Sequence, residues 1–299
     1  MSWQDFQYVG FAVKSMKELH RMKRIGATVA EIKLDKFAKS GHPVYFYKDG
    51  YFTLNVPVIE QIAKFAKINN IRIQWHLPIE GLIDVTRESG LNMGIIAHHD
   101  IIIERFVMFE WILHMYGIGH CVTVHPPTVS VDGEMILAEE ETLINTKMCL
   151  DRLDIIRIQC DHNILIGVEN QTDIKQKAGN LGYMPFHFRR MMKDTRTIGI
   201  TIDTGHRRLT QEFSIREFLQ GGWQVMNFHF HGNEGIFDPK DWSDDQHLLP
   251  HKENVKGYDN YLRYFRRHRV PIILEISWLN KYTDRELIEF LIGFREELQ

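Results

Sequence analysis

Histidines and acidic residues recur in this sequence at the ends of short, apolar, β-rich runs. His76 closes IRIQWHLP, His125 closes HCVTVHPP, Glu169 closes ILIGVEN, and Asp203 closes IGITID with His206 three residues on. His229 and His231 close VMNFHFH, Glu275 lies in PIILEIS, and Asp245 and His247 follow in DDQHLLP. One histidine among 16 says little, because most are surface groups or satisfied core groups. The set says more. Carboxylates and imidazoles gathered at one place lose hydration and repel one another unless a cation lies among them. A donor set of His, Asp and Glu without cysteine suits Zn²⁺, Mn²⁺, Fe²⁺ or Co²⁺.

For these residues to meet, the elements carrying them must point the same way. The β-rich runs cover residues 7–13, 27–34, 71–78, 120–127, 164–170, 198–203, 225–231 and 271–277, and helical periodicity follows each one. Runs unbroken by polar residues suit parallel strands covered on both faces. This alternation predicts an α/β fold, a (β/α)8 TIM barrel built as a single domain over residues 1–299. An open doubly wound sheet fits less well, since no GxGxxG turn follows the first strand. In a barrel the C-terminal strand ends form one rim, so all the chemistry-bearing residues named above would share it.

The connecting segments carry their own signals. Ser214 with Glu217, and Thr283 with Glu286, have capping-box spacing, and Leu287, Leu291 and Phe294 form one apolar stripe on the last helix. His98, His99 and Asp100 resemble a metal motif but fall where the third helix begins, so they read as structural, with Asp100 as N-cap. The basic runs FRRMMKDTRT and YLRYFRRHRV read as solvated helix faces. Trp75 and Trp278, beside rim residues in sequence, are expected to face the core.

Composition narrows the remaining classes. With 299 residues, 44% hydrophobic and 25% charged, the chain is neither collagen-like nor disordered. A net charge of −3 advertises no general affinity for nucleic acid or acidic membrane. Cys121, Cys149 and Cys160 are odd in number and form no CxxC pair, which predicts a reducing, cytoplasmic location. The opening MSWQDFQYVG lacks a signal-peptide pattern, and the apolar stretch 101–116 is interrupted by Glu104, Arg105 and Glu110, so neither secretion nor membrane insertion is expected.

The strings QWHLP, TVHPP, GVEN, TIDTGH, NFHFHGN, DDQHLLP and ILEIS, in that order, resemble the xylose isomerase-like TIM-barrel superfamily, which includes sugar isomerases and epimerases and the endonuclease IV-like proteins. Resemblance to the isomerases implies a single metal on Glu169, Asp203, His229 and Glu275, with His206 contacting substrate and the two glutamates acting as acid and base. Resemblance to endonuclease IV implies three zinc ions. His76 and His125 would hold one with Glu169 as a bridge, the four residues just named the second, and His206, Asp245 and His247 the third. One to three divalent ions per chain, zinc or manganese, are thus expected. The chain departs from the endonuclease pattern after His229, reading Phe230, His231, Gly232 and Asn233, and its first strand lacks the histidine expected there.

Two functions follow. The preferred one is a metal-dependent isomerase or epimerase of a small sugar, sugar phosphate or related polyol, with Glu169, Glu275 and His206 as catalytic residues. Lys33, Arg207 and His231 are its substrate-binding candidates; Glu31, Lys33 and Asp35 alternate on one strand face, and Arg207 and Arg208 suit an anionic group. The alternative is an endonuclease IV-type phosphodiesterase acting on abasic DNA, the only reading that involves nucleic acid. No basic stripe supports it. Self-association is left open, and a non-catalytic binding barrel would leave the desolvation cost of the rim unexplained.

Overall fold

The computed structural model describes residues 9–48, 51–77, 91–131, 134–135, 138–160, 164–172, 181–206, 215–234, 246–276 and 281–299. Each expected run forms a strand: β1 (Val9–Val13), β2 (Val29–Lys33), β3 (Arg72–Leu77), β4 (Cys121–Val124), β5 (Leu165–Glu169), β6 (Ile198–Asp203), β7 (Val225–His229) and β8 (Ile272–Leu274). They close into one parallel barrel in the order β1-β8-β7-β6-β5-β4-β3-β2. The β1–β8 seam pairs Val9 with Ile272 and Phe11 with Leu274. Two antiparallel hairpins, Tyr45–Lys48 with Tyr51–Leu54 and Ser130–Val131 with Glu134–Met135, decorate the barrel.

The helices are α1 (Met16–Arg24), α2 (Leu34–Lys39), α3 (Val56–Asn69), α4 (His99–Tyr116), α5 (Glu139–Gln159), α6 (Pro185–Met191), α7 (Ile215–Leu219), α8 (Tyr258–Arg267) and α9 (Asp284–Glu297). The Thr283–Glu286 capping box forms, and Leu287, Leu291 and Phe294 are buried as the stripe requires. Ser214 and Trp278 lie outside the described residues. Asp100 does not cap α4. His98 occupies the cap position without a side-chain bond, and the exposed Asp100 carboxylate instead accepts from Arg152 at 2.6 Å. His98 and His99 are structural: one accepts the Asn92 backbone N–H, the other bonds the Met93 carbonyl. Trp75 is fully buried and donates to the Ile118 carbonyl. None of the described helices is long and apolar enough to cross a membrane.

Side chains alternate in and out along a strand, and here the alternation sorts apolar from polar. Outward Phe11, Ile73, Trp75, Val122, Val168, Ile200 and Phe228 join the core beneath the helices. The bore mixes two kinds of side chain. Ala12, Val29 and Ile273 make a small apolar cluster of their own. Glu31, Thr123, Thr201 and Asn227 make a polar layer, linked across the bore by hydrogen bonds of 2.9–3.5 Å. A Cβ on Gly167 would sit 2.2 Å from Thr201 Oγ1, so β5 must carry glycine for this polar layer to close. Two residues further along the strands stand the acids and histidines of the rim.

Candidate metal centre

The rim is built by that period of two. Moving one layer up from Thr123, Gly167, Thr201, Asn227 and Ile273 gives His125, Glu169, Asp203, His229 and Glu275 on successive strand ends. Their focus is His229 Nδ1. Glu169 Oε1 lies 2.6 Å from it, Glu275 Oε2 3.0 Å and Asp203 Oδ2 3.8 Å. All four side chains are buried, and one ligand atom from each falls within 4.8 Å of the others. A single N–H can serve only one oxygen. Glu169 accepts it, and Glu275 Oε2 is left buried without a hydrogen bond.

The electrostatics follow from this crowding. Burial pulls the His229 imidazole down, but the Glu31 and Glu169 carboxylates outweigh it and hold the pKa up at about 10. Against the same desolvation, His229 and His125 hold Glu169 well below the ordinary carboxylate range, and His206 and His231 lower Asp203. His76 goes the other way: burial first, then the Lys33 charge, pushes it down to about 4. It is a neutral imidazole at pH 7, the form that ligates metal. An excess of buried carboxylate around one imidazolium, with an oxygen of Glu31, of Glu169 and of Glu275 each lacking a hydrogen bond, is a donor set that a divalent cation fits.

Glu169 also faces the other way. Its Oε2 lies 3.3 Å from His76 Nε2 and 3.1 Å from the half-exposed His125 Nε2, making a second group of potential ligands, and Glu31, His76, His229 and Glu275 make a third. His206 donates Nδ1–H to the Asn170 carbonyl at 2.9 Å, which leaves Nε2 as its acceptor or ligand nitrogen. His247 donates Nδ1–H to the Glu275 carbonyl at 2.7 Å. Asp245, Arg207 and Arg208 fall outside the described residues.

A further layer holds the ligands. Asn170 exchanges two bonds with the Asp203 backbone, 2.7 and 3.0 Å long. His231 is fully buried, its Nε2 3.1 Å from both Asp203 oxygens and its ring stacked on His247 at 4.3 Å. It stands beside the Asp203 carboxylate. Gly205 permits this, because a Cβ there would meet the His231 ring at 1.9 Å. Lys33 Nζ contacts Glu275 Oε1 directly. Asp35 does not share its face, since β2 stops at Lys33 and Asp35 belongs to α2, paired with Lys36 at 3.0 Å. Alternation along β2 places Glu31 on the inward face but gives no sign that it spans the bore to His229 Nε2, 2.9 Å away. Asn170, one position past Glu169 in GVEN, likewise carries no advance signal of its two bonds to Asp203.

No protein-family model matches the chain, and no curated protein matches it. Solved structures do. A D-tagatose 3-epimerase-like protein aligns with a TM-score of 0.71 at 20% identity over 97% of both chains. A xylose isomerase domain containing protein from Salmonella typhimurium aligns with a TM-score of 0.63 at 14% identity over the whole of both. The chain shares the (β/α)8 TIM-barrel fold of these structures. A third structure of this fold, an IolI protein with a bound zinc atom, aligns with a TM-score of 0.65 at 15% identity over 97% of both chains. The barrel places the His229 cluster at the C-terminal ends of its strands, the face where TIM barrels hold their active sites.

Proposed function

We propose that this protein is a divalent-metal-dependent isomerase or epimerase of a small ketose, sugar phosphate or related polyol derivative. One observation carries the reading: Glu169 and Glu275 approach the same point, His229 Nδ1, from different strands, at 2.6 and 3.0 Å. Two carboxylates around one small volume are what moving a proton off carbon and back requires. Glu169, Asp203, His229 and Glu275 would hold the metal, zinc or manganese. When bound, the ion would polarise a substrate carbonyl and its neighbouring hydroxyl and so acidify the C–H bond between them.

The chain's own groups do the rest. One glutamate takes the proton from carbon, leaving the C–H electron pair in the enediolate, and the other glutamate returns a proton. Return to the opposite face of the same carbon epimerises it; return to the neighbouring carbon, with the hydroxyl proton passing to the former carbonyl oxygen, isomerises the sugar. Lys33, held against Glu275, pairs its charge with that carboxylate and offers N–H donors to a substrate oxygen. His206 presents Nε2 to a substrate hydroxyl, and Arg207 is the candidate for a phosphate or other anionic group. His231 serves substrate indirectly, through the Asp203 carboxylate it holds.

The D-tagatose 3-epimerase-like neighbour and the zinc in the IolI structure support this assignment of substrate class and metal. Three free cysteines, two of them buried, fit a reducing compartment such as the cytoplasm. The His76, His125 and Glu169 group is the observation that favours the second reading, a phosphodiesterase with clustered metals. The two part in D2O. Protein loaded with Mn²⁺ or Zn²⁺ is incubated with a panel of ketoses and ketose phosphates, and in parallel with an abasic-site duplex. The isomerase reading expects deuterium at a carbon next to the carbonyl of one sugar and an intact duplex. Metal-dependent strand cleavage without exchange into any sugar would replace it with the phosphodiesterase reading.

A further inference from the structure

Strand β2 sends successive inward side chains across the bore, Lys33 to Glu275 and Glu31 to His229. Glu31 has no solvent exposure, and both its oxygens reach His229 Nε2, at 2.9 and 3.0 Å. Its position is itself fixed. Oε2 accepts from Asn227 Nδ2 at 2.9 Å and from Thr123 Oγ1 at 3.2 Å, and that hydroxyl lies 3.2 Å from the hydroxyl of Thr201. A fully buried carboxylate is costly unless charge and hydrogen bonds repay its lost hydration, and its neighbour across to β1 is the apolar Ala12.

An imidazole offers two nitrogens, and whichever one donates to a carboxylate leaves the other as the ligand. We propose that Glu31 is a positioning residue that fixes His229 with its proton on Nε2 and so aims the Nδ1 lone pair at the divalent cation held with Glu169, Asp203 and Glu275. The proposal rests on the metal reading of the rim and adds to it a residue outside the set of Glu169, Asp203, His229 and Glu275.

The test needs no turnover. Zn²⁺ affinity is measured by competition with a chromophoric chelator for the wild type, Glu31→Gln and Thr123→Val, with far-UV circular dichroism confirming the fold. Long-range ¹H–¹⁵N spectra of histidine-labelled, Zn²⁺-loaded wild type report the His229 tautomer. The wild type should bind Zn²⁺ with His229 protonated on Nε2, and folded Glu31→Gln should bind about 10- to 100-fold more weakly, as loss of a ligand's outer partner does. Thr123→Val removes a neighbour of the same carboxylate without touching the ring, and should stay within about threefold of wild type, well short of an outer-partner loss. Binding by Glu31→Gln within that same margin would overturn the proposal, as would an equal loss in Thr123→Val. An Nδ1–H tautomer in the wild type would overturn it even if Glu31→Gln failed to fold. A wild type that binds neither Zn²⁺ nor Mn²⁺ would overturn the metal reading itself, and this proposal with it.

Discussion

Metal binding should displace a proton from His229 and therefore tighten as pH rises. In the metal-free chain burial would depress this imidazole, yet Glu31 and Glu169 hold its pKa at about 10. At pH 7 the neutral ring is then roughly one part in a thousand, and a cation taking the Nδ1 lone pair must first drive off that proton. Apparent affinity should gain about tenfold per pH unit between pH 6 and 9, roughly a thousandfold over the interval. His76 adds no slope there, because burial and Lys33 have already pushed it down to about 4. The sign for stability is opposite. A folded-state pKa raised above the ordinary 6.5 means that the metal-free chain has the full benefit of this group below about pH 6.5 and loses it as pH climbs toward about 10. Metal-loaded protein should lack that decline, since the cation replaces the proton. Calorimetric titration with Mn²⁺ in buffers of contrasting ionisation enthalpy counts the protons released, and about one per ion is expected near pH 7.5. A count near zero, with affinity flat from pH 6 to 9, would refute the electrostatic argument.

Other perturbations separate the roles of the rim residues. Glu275→Gln keeps size but removes charge, and should cost at least about a hundredfold in turnover with the circular dichroism spectrum unchanged. His98→Ala, outside the candidate ligand groups and bonded to the Asn92 backbone, should keep activity within about twofold, as a substitution outside any catalytic contact does. Gly205→Ala would place a methyl 1.9 Å from the His231 ring, so its melting temperature should drop, consistent with an overpacking cost of about 1–3 kcal/mol, and its metal affinity should weaken as Asp203 loses support. Asp245→Asn tests the choice of chemistry in a rate assay. A four-ligand isomerase should keep much of its activity, whereas a clustered-metal phosphodiesterase should lose about a hundredfold or more.

The strands were legible because each is apolar and covered on both faces, which gives continuous runs such as VGFAV and IGITID between breakers. Their ends were legible for a related reason: an acid or histidine closing such a run must lie on the rim. What spans the bore was not. Glu31 on β2 and His229 on β7 stand three strands apart around the barrel, and no local pattern shows which inward polar residue reaches which partner. The N-cap of α4 was misplaced because the helix already begins at His99, so Asp100, a good capping type, lies inside the first turn and its exposed carboxylate meets Arg152 instead. Helices α4 and α5 blur the amphipathic signal as well. Ile101, Met108, Trp111 and Met115 on one, and Ile144, Met148, Ile155 and Ile158 on the other, are exposed, so apolar residues surround both axes and periodicity cannot name the buried face.

Elemental analysis of protein prepared without chelators and supplied with Zn²⁺ or Mn²⁺ tests the central claim most directly. At least about one tightly held divalent ion per chain is expected, falling sharply in Asp203→Asn because that carboxylate belongs to the buried four-ligand set. Less than about a tenth of an ion per chain in the folded wild type, or retention unchanged in Asp203→Asn, would contradict the assignment of the rim as a metal centre.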